Sequence, residues 1–169
     1  MSGWFTTNEY RKWQKKALPI WLKNQKGVIS VTTGAGKTYF AFAAMQEIHR
    51  QHPDCKLLII VPRVSLMDQW KVSLTADFNV PEGEIALAGG GHKFTASNLV
   101  NVMVARSAGK IAPTILRKGK WFLIVDECHR IASESNRETI QGNHFAALGL
   151  SATPERDYDD WFDEFVAPS

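Results

Sequence analysis

The sequence predicts an α/β fold, a mainly parallel sheet with helices on both faces, and three observations carry that prediction. Short apolar runs rich in Val, Ile and Leu alternate along the chain with longer amphipathic segments. These runs are continuous rather than alternately apolar and polar, the pattern of strands covered on both sides. One run opens through a glycine-rich turn straight into a helical segment, the local order in which such sheets bind phosphate.

Taken in chain order, helical spacing covers residues 8–25, 37–51, 64–76 and 129–140. Strands are expected near 28–32, 56–61, 100–105, 121–126 and 146–151. Pro53-Asp54 breaks the second helix, and Pro62 ends the strand over 56–61 where its missing N–H does least harm. Residues 77–94 are the least regular stretch, with a short strand candidate at 84–88 between Pro81-Glu82-Gly83 and Gly89-Gly90-Gly91. The three glycines read either as a flexible turn or as a place where another backbone or a phosphate comes close. No internal repeat or low-complexity tract is present.

With 169 residues and 44% hydrophobic content, the chain matches one globular domain of ordinary size. Its apolar runs are far shorter than the roughly 20 residues that span a bilayer. Residues 1–9 lack the basic lead and apolar core of a signal peptide, so a cytoplasmic location without a membrane is expected. Cys55 and Cys128, widely spaced and outside any metal-ligand pattern, read as buried small residues in a reducing compartment. A formal charge of +3 permits polyanion binding without requiring it.

The most informative stretch is Val28-Ile29-Ser30-Val31-Thr32-Thr33-Gly34-Ala35-Gly36-Lys37-Thr38, a strand, a turn and a helix start. Gly34 and Gly36 can take backbone angles closed to other residues, letting consecutive amides converge on phosphate oxygens. Lys37 then reaches the terminal phosphates and Thr38 offers its hydroxyl to Mg²⁺. The strict phosphate-loop pattern wants glycine at position 31, where this chain has Val31. Downstream, the run 121–125 ends in Asp126-Glu127-Cys128-His129, so two carboxylates emerge at the carboxyl end of a buried strand, the edge where open α/β sheets bind ligands. Asp126 would hold Mg²⁺, and Glu127 would orient and deprotonate the attacking water. A strand ending in Asp-Glu alone is commonly a solvated turn; the phosphate loop upstream gives this one its meaning as half of a Mg-ATPase.

Together, Thr-Thr-Gly-Ala-Gly-Lys-Thr, Asp-Glu-Cys-His and Gly149-Leu150-Ser151-Ala152-Thr153-Pro154-Glu155-Arg156 resemble, in order, motifs I, II and III of superfamily 2 helicases. The resemblance is nearest to the DEAD/DEAH-like group that includes restriction-enzyme motor subunits and XPB-type helicases, and covers residues 8–157. It implies a P-loop NTPase (RecA-like) fold, with Thr33, Gly34, Ala35, Gly36, Lys37 and Thr38 around ATP. It also implies that Ser151 and Thr153 couple the nucleotide to nucleic acid. Tyr10-Arg11-Lys12-Trp13-Gln14 resembles the group's Arg-x-x-Gln segment, in which Gln14 would read adenine and Arg11 would stack on the base or support the glutamine. On a helix the same two residues are equally exposed polar positions beside Trp13, Ala17 and Leu18.

The stretch 60–70 resembles motif Ia, which makes the turn at Pro62 and Arg63 a candidate phosphate contact, while Leu66, Met67 and Trp70 recur at core spacing. Ser107, with Arg106 in place of the group's usual residues, is a second candidate nucleic-acid contact, and Gly90, Gly91, His92 and Lys93 are further ones. The resemblance makes residues 1–169 the first RecA-like domain, to be joined by a second that supplies arginine fingers. Its track is expected to be duplex DNA, with RNA as the alternative. Two other classes remain open at this stage. A nucleotide kinase or GTPase is one, but the guanine-reading Asn-Lys-x-Asp motif is absent and Ser-Ala-Thr-Pro has no role in a kinase. A non-hydrolysing binding module would not need Lys37, Asp126 and Glu127 together.

Overall fold

The computed structural model describes residues 3–30, 36–128 and 144–151. An extended segment leads into helix α1 (Lys12–Asn24), then strand β1 (Lys26–Ser30), helix α2 (Lys37–Gln51), strand β2 (Lys56–Val61) and helix α3 (Val64–Val72). A π turn at Ser73–Asp77 and a short 3₁₀ turn at Glu82–Glu84 precede strand β3 (Ile85–Ala88). Strand β4 (Val100–Val104), helix α4 (Ala105–Ile115), strand β5 (Trp121–Val125) and strand β6 (Ala146–Ser151) complete the described elements. The expected helix at 129–140 lies outside the described residues.

All six strands are parallel, in the order β1-β6-β5-β2-β4-β3. Successive residues of the central strands enter two separate cores, as the pleat requires. Leu57, Ile59, Val61, Phe122 and Ile124 join one core with Trp21 of α1, Phe40 and Met45 of α2, and Met67 and Trp70 of α3. Leu58, Ile60, Leu123 and Val125 join the other with Ala105, Ala108 and Ala112 of α4. The continuous apolar runs are thus explained: β2 and β5 have no solvent face.

Three expectations about local structure change. The strand expected to reach residue 105 ends at Val104 and turns directly into α4, which the sequence reading did not include. Gly109 and Pro113 inside this helix obscure its pattern, although Ala105, Ala108 and Ala112 keep helical spacing on the buried side. The helix expected at 64–76 is α-helical to Val72 and widens into the π turn. Residues 8–11 stay outside α1, which starts at Lys12.

The glycine run resolves into close packing. Gly89 and Gly90 take positive φ (110° and 57°), and a Cβ on either would fall under 3 Å from Val104 or Val64 side-chain atoms. Gly89 also exchanges backbone hydrogen bonds with His92. The turn therefore clamps β3 against the amino ends of α3 and α4. Cys55 and Cys128 are both free and buried, and burial pushes the Cys55 thiol up to about 12. No helix among the described residues is long and apolar enough to cross a membrane.

Candidate functional site

Parallel strands bring their carboxyl ends to one edge, and the connections leaving β1, β2, β4 and β5 place Lys37, Arg63, Arg106 and Asp126 along it. Gly36 precedes α2 with φ 90°, and Lys37 begins the helix. A Cβ at Gly36 would meet Gln14 Nε2 at 2.6 Å, so only glycine fits between α1 and α2 here. Thr33, Gly34 and Ala35 of the expected phosphate loop lie outside the described residues.

Asp126 leaves β5 buried, 3% exposed, and each carboxylate oxygen has partners. Its Oδ2 accepts a 2.9 Å hydrogen bond from Trp70 Nε1, and its Oδ1 accepts one of 2.9 Å from the Glu127 amide. Lys37 Nζ stands 3.6 Å from Oδ1. A buried carboxylate demands such compensation. The backbone is fixed too, since the Asp126 amide donates to Ile60 O at 2.9 Å and ties β5 to β2 one step beyond the ladder.

Glu127 follows with φ 47°, a left-handed conformation that is costly for a side chain of this size. Its Oε2 lies 3.2 Å from Arg63 Nη1. Arg63 is the residue that caps α3, extended in backbone, and no side chain caps the helix amides there. The sequence reading treated Arg63 and Glu127 as parts of two different surfaces; the structure brings them into contact. It also adds Trp70, whose spacing marks it as core but whose indole N–H positions Asp126.

The adenine candidates converge as well. Gln14, 2% exposed, donates from Nε2 to Gly36 O at 2.7 Å and accepts the Arg11 amide on Oε1 at 2.6 Å. That excludes the reading of Gln14 as an exposed helix position. Gln14, Arg11 and Gly36 line a cavity of about 280 Å³ with Asn8, Glu9 and Tyr39. Each amide atom of Gln14 keeps one further hydrogen-bonding capacity, a donor on nitrogen and a lone pair on oxygen. Asn8 and Tyr39, joined by a 2.6 Å hydrogen bond, line the same cavity and were not singled out from the sequence, because neither belongs to a recognised motif and only the fold brings the amino-terminal segment against α2.

Arg106 and Ser107 sit in the first turn of α4, just past the end of β4. Arg106 is exposed, and Ser107 Oγ would be 3.1 Å from a Cβ at Gly89. Because Val61 and Val104 are register partners in adjacent strands, Pro62 and Arg63 lie beside Arg106 and Ser107 on the same sheet edge. Ser151 is fully buried at the end of β6, paired in register with Ser30 of β1; Thr153 lies outside the described residues.

The oxygen donors near Lys37 suit a hard divalent cation shared with phosphate: the Asp126 carboxylate and, one residue after Lys37, the Thr38 hydroxyl. Among the described residues no cluster of three His, Cys, Asp or Glu could hold a metal by itself. That composition fits Mg²⁺, which keeps few protein ligands when phosphate supplies the rest.

Comparison with known proteins gives a consistent picture. The family model described as "Type III restriction enzyme, res subunit" matches residues 7–156. The DNA 3'-5' translocase XPB2 of Sulfurisphaera tokodaii is 35% identical over 152 residues, covering 88% of this chain and 32% of that protein. A putative DNA 3'-5' helicase Rad25 of Haloarcula marismortui is 31% identical over 152 residues, 89% of this chain and 23% of that protein. Among solved structures, the Sulfolobus solfataricus SWI2/SNF2 ATPase core in complex with dsDNA superposes with a TM-score of 0.81 at 16% identity. It covers 100% of this chain and 38% of that one. The UvsW helicase from bacteriophage T4 gives 0.76 at 20% identity, over 97% and 61% of the two chains. These structures share the fold. The chain spans about a quarter to a third of the length of the curated relatives.

Proposed function

This chain belongs to the family of the type III restriction enzyme res subunit, and from that premise we propose that it is the ATP-binding motor domain of a superfamily 2 helicase or translocase. It acts in the cytoplasm, joined to a second RecA-like domain, and couples ATP hydrolysis to movement on nucleic acid, with duplex DNA as the track. The observation that carries the reading is the cluster at the sheet edge: Lys37 3.6 Å from a buried Asp126, with Glu127 next to it. Duplex DNA as the track is supported by the names of the relatives, a DNA translocase and a DNA helicase.

The chemistry follows from the side chains. ATP seats its adenine in the cavity bordered by Gln14 and Arg11, and its phosphates at the amino end of α2, where helix amides and Lys37 oppose negative charge. Mg²⁺, held by Thr38 and Asp126, would supply charge neutralisation on the phosphate oxygens. Lys37 then exchanges Asp126 for the terminal phosphate. Glu127 accepts a proton from the attacking water as the new P–O bond forms and the bond to ADP breaks. Arginine fingers of the second domain stabilise the remaining transition-state charge, worth roughly 10³–10⁵ in rate. The chain alone is therefore expected to bind ATP but turn it over very slowly.

Calorimetry with Mg-ATP on residues 1–169 tests the binding half of this reading. Lys37→Ala removes a charge-assisted contact and should weaken ATP binding about 10- to 100-fold. Equal affinity in the two proteins would sink the assignment.

A further inference from the structure

We propose that Arg63 restrains Glu127 until nucleic acid takes the arginine away, so that one ion pair makes hydrolysis depend on the track. The inference rests on the motor reading above and names the regulation of its site.

The geometry supplies each part. Glu127 Oε2 and Arg63 Nη1 are 3.2 Å apart, and the two side chains differ in access: 15% exposed for Glu127, 52% for Arg63. A general base must offer a free lone pair to water at the right angle. A carboxylate paired with a guanidinium is turned toward its partner and away from water. As it stands, Glu127 is held in the wrong engagement for its task.

The backbone is poised rather than relaxed. Gln25 and Asn79 share positive φ with Glu127 among the described non-glycine residues, and Gln25 is the end cap of α1, where that conformation is usual. Glu127 instead takes it directly after a buried strand, its amide bonded to Asp126 Oδ1. Such strain persists where the surroundings hold it, and the pair with Arg63 is one of the contacts that hold this one.

The exposed partner is the one a phosphate can reach. Arg63 stands at the amino end of α3, where helix amides lack a side-chain cap, beside Arg106 on the same edge. A backbone phosphate meets a guanidinium fork, helix amides and a second cation there, a better match than one carboxylate oxygen. Half-exposed ion pairs contribute little, so the exchange costs little. When the guanidinium turns to the phosphate, this restraint on Glu127 is lost and its carboxylate can turn toward water. Nucleic acid thus shifts a population between restrained and released base through its differential affinity for the two.

The test uses the full-length protein, with steady-state phosphate release at saturating Mg-ATP, with and without duplex DNA, and duplex affinity measured separately by anisotropy. Arg63→Ala should raise DNA-free turnover about two- to fivefold, the range an exposed pair can carry. It should lower stimulation at saturating duplex by the same factor while KM for ATP stays put. Arg63→Lys, which keeps a charge near Glu127, should return DNA-free turnover toward wild type, an effect that a merely structural arginine would not produce. DNA-free turnover of Arg63→Ala at or below wild type overturns the restraint; reduced duplex affinity in that variant would then leave Arg63 a simple phosphate ligand and the motor reading intact. A wild-type protein that neither duplex nor single strands stimulate overturns the motor reading itself, and the restraint with it.

Discussion

Two regions of this molecule are locked by opposite means. At the carboxyl edge of the sheet, Lys37, Trp70, Asp126, Glu127 and Arg63 satisfy one another's charges and hydrogen bonds, and most of these partnerships can be exchanged for phosphate. At the amino-terminal strap, the extended residues 3–11 that lead into α1, aromatic contacts and hydrogen bonds fix the segment onto α2 and the residues around Phe78. Trp4 is buried, stacked on His49 at 4.1 Å, and donates to Glu84 at 3.0 Å, while Phe42 lies parallel to Phe78 at 3.8 Å. Gln46 and Asn79 bind the carbonyls of Trp4 and Phe5. The proposed motor role would use both: a frame that does not yield, and a polar edge whose pairs can change partners.

The comparison breaks most visibly at Glu127. Glu127→Gln keeps shape but removes the base, so in the full-length protein hydrolysis should fall about 10²- to 10⁴-fold with ATP affinity largely kept and the melting temperature little changed. Phosphate release, calorimetry and thermal unfolding on one preparation decide the matter. A large stability loss with modest loss of turnover would assign Glu127 to the frame.

Trp4→Ala should do the reverse, lowering stability by about 3 to 5 kcal/mol, as expected for emptying an indole-sized site in a core, while leaving the residual protein's affinity for ATP near normal. Denaturant unfolding measures the first and calorimetry the second. Trp70→Phe falls between the two regions. The ring stays in the core, but Asp126 loses its indole donor, and leaving a buried polar group short of a partner costs about 1 to 3 kcal/mol. Its signature is a drop in turnover together with a moderate fall in melting temperature.

How much of this was legible in the sequence divides along the same line. The central strands were legible because Val, Ile and Leu in unbroken runs admit no solvent face, and β2, β5 and β6 fall within a residue of their expected bounds. The placement of Lys37, Asp126 and Glu127 at one sheet edge was legible because it is tied to a strand end and a helix start. Helix α4 was not, since Gly109 and Pro113 are poor helix formers and only the packing of its alanines on β2 and β4 outweighs them. The Arg63–Glu127 and Trp70–Asp126 pairs could not be read at all. They depend on the register of β2 against β5, and spacing tells which side a residue faces but not which atom it meets. The strap was missed for a third reason: an extended segment carries no period.

Smaller effects sharpen the picture at the seam where the strap meets the cavity bordered by Gln14. Gln14→Ala removes an amide that ties Gly36 to α1 and faces the cavity. Discrimination of ATP over GTP should drop about 3- to 10-fold, the worth of one neutral hydrogen bond, in competition binding. Equal preference in the variant and the wild type would move base recognition to Asn8 or Tyr39.

The smallest effect is a pH dependence confined to the strap. Burial against Trp4 holds the His49 imidazole below its ordinary value, partly offset by Glu84, and Nδ1 has no hydrogen-bond partner in the structure. The folded protein therefore binds this proton less readily than the unfolded chain does. Stability from this group is complete above the unfolded value of about 6.5 and declines as the pH falls below it, until folded His49 itself takes up the proton. Other titrating groups bend the same curve, so the informative quantity is the difference between wild type and His49→Phe, which keeps an aromatic ring against Trp4 and cannot titrate. Denaturant midpoints measured from pH 8 to about pH 5 should separate progressively on the acid side, with the variant losing less. Parallel curves would mean that His49 takes up its proton as readily in the folded protein as in the unfolded chain, and that the strap is insensitive to protons.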